Sequence, residues 1–83
     1  MSDTQLHNGK PLSHHVTDSL ETYFNTLENT APIELYDLVL KEVEKPLLEK
    51  VMQETRGNQS KASIWLGISR STLRKKLAEH GLA

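Results

Sequence analysis

The apolar residues of the first third of the chain fall in steps of helical size. Leu12, Val16, Leu20, Tyr23, Phe24 and Leu27 are separated by four, four, three, one and three positions. Such spacing lines one face of a helix with 3.6 residues per turn and predicts a helix α1 over Leu12–Leu27. A short break follows at 28–31. The next pattern predicts α2 over 32–55, with Pro32 in the first turn, where its missing N–H is no loss. Tyr36, Leu40, Val43, Leu47 and Val51 form its stripe, and Leu35, Val39, Leu48 and Met52 widen it. Pro46 lies inside the pattern, which resumes in phase beyond it, so one kinked helix is expected and not two. A stripe this wide on a helix about 36 Å long exceeds what one short partner helix covers. The excess points to a second copy of the chain.

The C-terminal third is punctuated differently. Arg56-Gly57-Asn58 is a tight join, in which Gly57 can turn left-handed and end α2 while Asn58 caps the next helix. Helix α3 is predicted over Gln59–Leu66 and is ended by Gly67. Ser69 caps α4, predicted over 70–80 and stopped by Gly81. Two short helices joined through a glycine are the outline of a helix-turn-helix. Residues 1–11 have no period and carry Asn8-Gly9 and Pro11, as in a mobile tail. The expected fold is therefore all-α, with four helices per subunit. It divides into a tail at 1–11, dimerisation helices at 12–55 and a helix-turn-helix at 56–83, within one compact domain.

The local chemistry of 56–83 meets the demands of that motif. Ala62 and Ser63 are small where two helices must cross closely. Gly67 supplies the positive φ of the turn, and Ile68 is the buried turn residue. Leu66, Leu73 and Leu77 form the inner seam. The outer face of α4 is polar and basic: Arg70 and Arg74, at i and i+4, point the same way, and Thr72, Lys75 and Lys76 flank them. The N-terminal part of the second helix of such a motif reaches base edges. Arg70 is therefore the expected base reader, with Ser69, Ser71 and Arg74 in reach. Arginine pairs with guanine through two parallel hydrogen bonds, worth roughly 1–3 kcal/mol of discrimination. Asn58, Gln59, Ser60 and Lys61 open α3, whose free amides suit phosphate oxygens.

Charge sharpens this picture. The net charge of −1 conceals a division: residues 1–55 hold four lysines against ten acids, net −6, while residues 56–83 hold six cations against Glu79 alone, net +5. An acidic body with a basic end points to a polyanionic partner. With 83 residues and no cysteine, the chain has room for one domain and no disulfide to staple it. A monomer of this size buries only about 60% of its unfolded surface, and oligomerisation is the remaining common remedy. No apolar run of membrane-spanning length and no signal-peptide core are present, so a cytoplasmic protein is expected.

Four runs carry a resemblance. They are Lys10-Pro11-Leu12, the run Leu-Tyr-Asp-Leu-Val-Leu-Lys-Glu-Val-Glu-Lys-Pro-Leu-Leu-Glu at 35–49, Thr55-Arg56-Gly57-Asn58-Gln59-Ser60-Lys61-Ala62, and Arg70-Ser71-Thr72-Leu73-Arg74-Lys75-Lys76-Leu77. Together, over residues 10–83, the chain resembles the Fis family (factor for inversion stimulation), bacterial nucleoid-associated DNA-bending proteins. The resemblance implies a homodimer in which α1 and α2 intertwine as the core. It implies paired recognition helices set too close for straight DNA, so that the duplex bends, and a role in transcription and chromosome architecture. Carried over by position, Arg70 contacts a guanine near each end of the site. Asn58, Ser60, Lys61, Thr72, Arg74, Lys75 and Lys76 hold backbone or neighbouring bases around an AT-rich centre read by shape. RNA polymerase is a further expected partner, met through the turn at 63–67. Two departures stand out. Only nine residues precede Lys10-Pro11, without strand alternation, so stimulation of a recombinase is not expected. Ser69 stands where some members carry Asn, which leaves capping intact and is expected to alter base preference beside Arg70.

Other readings are weaker. His14 and His15 diverge by about 100° on a helix, His7 is in the tail, and no acid cluster joins them, so neither metal nor cofactor is expected. His80, in the last turn of α4, is expected to interact with the helix dipole or a phosphate. The acids of α2 (Glu34, Asp37, Glu42, Glu44, Glu49 and Glu54) read as a solvated face. No nucleophile–base set or phosphate loop marks an enzyme. A dimeric docking module without DNA binding accounts for α2 but not for the basic face of α4. The effector domain of an enhancer-binding activator would share the helix-turn-helix, but the chain starts at a Met and has no ATPase segment.

Overall fold

A computed structural model describes residues 11–83. Among them it has four helices and no strand: α1 Leu12–Leu27, α2 Leu35–Glu54, α3 Gln59–Leu66 and α4 Arg70–Glu79. The all-α expectation holds. The described residues form two compact units, residues 11–33 and 34–83. Apart from Pro11, the tail expected at 1–11 lies outside the described residues, as does His7.

In the first unit, α1 has the predicted bounds. Pro11 is extended at φ −68° and ψ 157°, and its carbonyl accepts the His14 amide at 3.0 Å. Thr17 and Thr22 turn their hydroxyls back onto the carbonyls of Ser13 and Asp18. No residue of α1 is buried, and Leu12 and Phe24 are nearly half exposed.

In the second unit, α2 begins at Leu35 and not in the turn of Pro32. Glu34 adopts a left-handed conformation, φ 54° and ψ 41°, which a right-handed helix cannot incorporate. The helix then runs unbroken through Pro46, whose pattern resumed in phase. Its end is closed by two bonds, from the Gly57 amide to Met52 O at 2.9 Å and from the Arg56 amide to Gln53 O at 3.1 Å. That pairing is a Schellman motif. Sequence reasoning gave the left-handed position to Gly57 alone. Gly57 does take it, at φ 81°, but Arg56 takes it first, at φ 54°. The pair of closing bonds requires a left-handed residue one position earlier than the glycine.

The core lies where the C-terminal half of α2 meets α3 and α4. Leu48, Ala62, Leu73 and Leu77 are at most 1% exposed, with Val51, Met52, Leu66, Ile68 and Leu82 packed around them. Each fully buried leucine contributes roughly 1.5–3 kcal/mol. Ala62 has no side chain beyond Cβ, which lets backbones approach closely. The buried hydroxyls are satisfied locally: Thr55 Oγ1 donates to Val51 O at 2.9 Å and Ser63 Oγ to Ser60 O at 2.8 Å. Toward the N-terminus of α2 the apolar stripe is uncovered. Tyr36 is 76% exposed, and Leu40 and Leu47 48% each.

Candidate nucleic-acid interface

Helices α3 and α4 are set by the turn between them. Gly67 takes φ 76° and ψ 27°, with no heavy atom within 4 Å of where a Cβ would stand. Glycine is therefore required there by backbone conformation and not by space. The Ile68 amide donates to Ser63 O at 3.1 Å and the Gly67 amide to Ile64 O at 3.2 Å, and Ile68 folds inward against the core. The same closure ends α4: Gly81 is at φ 70°, the Leu82 amide donates to Leu77 O at 2.7 Å, and Leu82 returns to the core.

Both helices start on side-chain caps, as the sequence predicts. The Asn58 carboxamide oxygen accepts the Lys61 amide at 3.0 Å, and Ser69 Oγ accepts the Thr72 amide at 3.1 Å. Each cap satisfies one of the amides that a helix start leaves open. The Ser69 hydroxyl also donates to Thr72 Oγ1 at 2.9 Å and lies 3.2 Å from Ser71 Oγ. A small hydroxyl cluster thus surrounds the base of Arg70. Ser69 is engaged first in holding α4, and its capacity to meet a base is what remains.

The outward face collects most of the expected side chains. Ser69, Arg70, Thr72, Arg74 and Lys75 are exposed on α4, and Asn58, Ser60 and Lys61 are exposed at the start of α3, with Gln59 half-buried between them. Behind this face, Leu73 and Leu77 are buried. Among the described residues no carboxylate pairs with Arg70, Arg74 or Lys75. The Lys61 ammonium lies 5.5 Å from the centroid of Trp65. A cation over an indole face keeps its full charge. Exposed unpaired cations and open helix starts together can receive a line of phosphate oxygens.

Lys76 is placed differently. Its Nζ donates to Glu44 Oε2 at 2.8 Å, across from α2. The other carboxylate oxygen lies 2.8 Å from His80 Nε2. A carboxylate can only accept, so Nε2 is the protonated nitrogen and donates. The hydrogen bond from Lys76, and after it that from His80, holds the Glu44 carboxyl below its ordinary range. The same bond to Glu44 holds the Lys76 ammonium above its own. Three expectations change. Glu44 is not part of a solvated face. His80 is not turned to a phosphate: it is the residue after α4, and its side chain is 8% exposed against Glu44. Lys76 belongs to the side of α4 that faces α2. The turn at 63–67 is also corrected, because Ser63 is buried while Ile64 and Trp65 are exposed at 77% and 54%. Among the described residues no helix is long and apolar enough to cross a membrane.

Comparison with known proteins places this arrangement. Residues 39–80 match the family described as bacterial regulatory protein, Fis family. A Fis-like DNA-binding protein of Neisseria meningitidis is 55% identical over 71 residues, which cover 86% of this chain and 90% of that protein. The DNA-binding protein Fis of Actinobacillus succinogenes is 49% identical over 82 residues, 99% of this chain and 82% of its own length. The protein of the same name from Mannheimia haemolytica is 52% identical over 73 residues, covering 88% and 74%.

Proposed function

The chain belongs to the Fis family of bacterial regulatory proteins, and from that premise we propose that it binds and bends double-stranded DNA as a homodimer. It then regulates transcription and chromosome architecture in the cytoplasm, associated with the nucleoid, and RNA polymerase is a protein partner. It is a binding protein and not an enzyme. The observation that carries the reading is the exposed face of α4, where Arg70, Arg74 and Lys75 stand without carboxylate partners above a buried leucine seam.

Arg70 reads a base in the major groove from the first position of α4, with Ser69 and Arg74 beside it. Asn58, Gln59, Ser60 and Lys61 at the start of α3, with Thr72 and Lys75 on α4, hold phosphates and fix the register. Lys76 is left out of this set because Glu44 engages it. The dimer is supported by the uncovered apolar face of α2, Tyr36, Leu40 and Leu47, which a second copy would cover. Bending rests on the family, and circularly permuted duplexes measure it.

Titration of wild type and Arg70→Ala against a guanine-flanked AT-rich duplex and a random duplex tests the reading. Arg70→Ala is expected to lose about 1–3 kcal/mol on the specific site and much less on random DNA. Equal losses on both would remove Arg70 as a base reader. With about 6–8 phosphates neutralised per dimer, log affinity falls against log salt with a slope of roughly −5 to −7. A slope near zero removes the phosphate contacts.

A further inference from the structure

Of the four cations of α4, one is withheld. Arg70, Arg74 and Lys75 are exposed, whereas the Lys76 side chain is 34% exposed and its ammonium rests on Glu44 Oε2 at 2.8 Å. Glu44 is itself gripped twice. His80, one turn beyond Lys76, takes Oε1 at 2.8 Å with a ring that is 8% exposed. Residues 76 and 80 are at i and i+4, so both reach the same carboxylate from one side of α4. The carboxylate is thereby fixed in position, and Lys76 meets an acceptor that is already oriented.

To an ammonium, a carboxylate oxygen and a phosphate oxygen are the same kind of ligand, an anionic acceptor reached through a charge-assisted bond of about 2.8 Å. We propose that Glu44 acts as an intramolecular stand-in for a DNA phosphate, keeping Lys76 out of the contact set and so setting the affinity for DNA from outside the interface. The inference rests on the DNA-binding reading above. Glu44 is a positioning residue: it touches no DNA and acts through Lys76. When Lys76 leaves the carboxylate, it adds one phosphate contact per subunit.

Three proteins test this: wild type, Glu44→Gln, and the double variant Glu44→Gln with Lys76→Gln, which keeps the wild-type net charge. Each is titrated with one duplex over a range of salt, and its fold is checked by circular dichroism. Each phosphate contact adds about 0.9 to the slope of log affinity against log salt, about eightfold in affinity between 1 M and 0.1 M salt. Glu44→Gln is expected to steepen the slope by about 0.9 per subunit and to bind more tightly. The double variant is expected to return to the wild-type slope. An unchanged slope for Glu44→Gln overturns the proposal. So does a double variant shallower than wild type, since Lys76 would then already contact a phosphate. If Glu44→Gln does not fold, the wild-type complex decides: the Lys76 Nζ resonance should stay in place on addition of duplex while that of Lys75 moves, and equal movement overturns the proposal. A wild type without duplex affinity overturns the DNA-binding reading and this inference together. Retained affinity with a flat Glu44→Gln result overturns the inference alone.

Discussion

The two ends of α2 behave differently. At its C-terminal end, Leu48 is 1% exposed and Val51 and Met52 pack against the core shared with α3 and α4. At its N-terminal end, Tyr36 and Leu40 belong to the same stripe and are 76% and 48% exposed. One helix with one pattern thus serves two surfaces. The first is completed by residues of the same chain fewer than 40 positions away. The second is uncovered and calls for apolar surface from elsewhere, which the proposed dimer supplies. A continuous stripe is therefore evidence of burial somewhere, and it does not say in which molecule.

The largest expected break in this comparison is at the closed end. Leu73→Ala removes a side chain with 0% exposure and should cost about 2–5 kcal/mol in chemical denaturation, the range for buried leucine truncations. At the open end, Leu40→Lys should leave the secondary structure of the subunit near wild type and shift the solution mass toward one chain. A Leu40→Lys protein that keeps the mass of two chains would place the subunit contact elsewhere. Capping changes come next. Asn58→Ala and Ser69→Ala each remove one side-chain acceptor from a helix start and should cost about 1 kcal/mol, read as a lowered denaturation midpoint. Arg56→Gly relieves a left-handed arginine and should gain about 1 kcal/mol. Loss of stability there would mean that the arginine side chain makes a contact that outweighs the backbone strain.

The smallest effect is the pH dependence of the ion pair between Glu44 and Lys76. Glu44 is held below its ordinary value of 4.5 in the folded chain, so the folded state prefers the ionised carboxylate. That contribution is complete above about pH 4.5 and is lost as pH falls through the lower folded value. Lys76 is held above 10.5, so its contribution is complete below that pH and is lost as pH rises through the higher folded value. For a partly exposed pair the contribution is at most about 1 kcal/mol. Melting temperatures of wild type and Glu44→Gln should converge as the pH falls below 4.5 and through the lower folded value of Glu44, and parallel curves would remove the pair as the cause.

Much of the fold was legible because the signals are local. The period of α1 gave its bounds, the Asn58 cap and the Gly67 stop gave those of α3, and Asn58, Ser69, Gly67 and Gly81 act within four residues of their own position. The start of α2 was not legible, because the left-handed turn at Glu34 has no signature in residue type. Arg56 was obscured by the glycine beside it, which looked sufficient. The Glu44–Lys76–His80 cluster joins residues 32 and 36 positions apart, a pairing that no spacing rule specifies. A partial signal was present. At about 100° per residue, Lys76 and His80 fall about 60° and 20° from Leu73 on the wheel of α4, and Glu44 falls about 40° from Leu48 on α2. Charged residues so near a buried seam are unlike those of a solvated face and call for a partner across it. Lys76 was grouped with the outward cations by its neighbours in sequence and not by its angle.

The most direct test of the account is native mass spectrometry of the protein with a guanine-flanked AT-rich duplex at low salt. The account predicts one duplex bound by two copies of the chain, with free protein also at the mass of two copies. A complex holding a single chain, or no complex at all beside a two-copy protein, would contradict it.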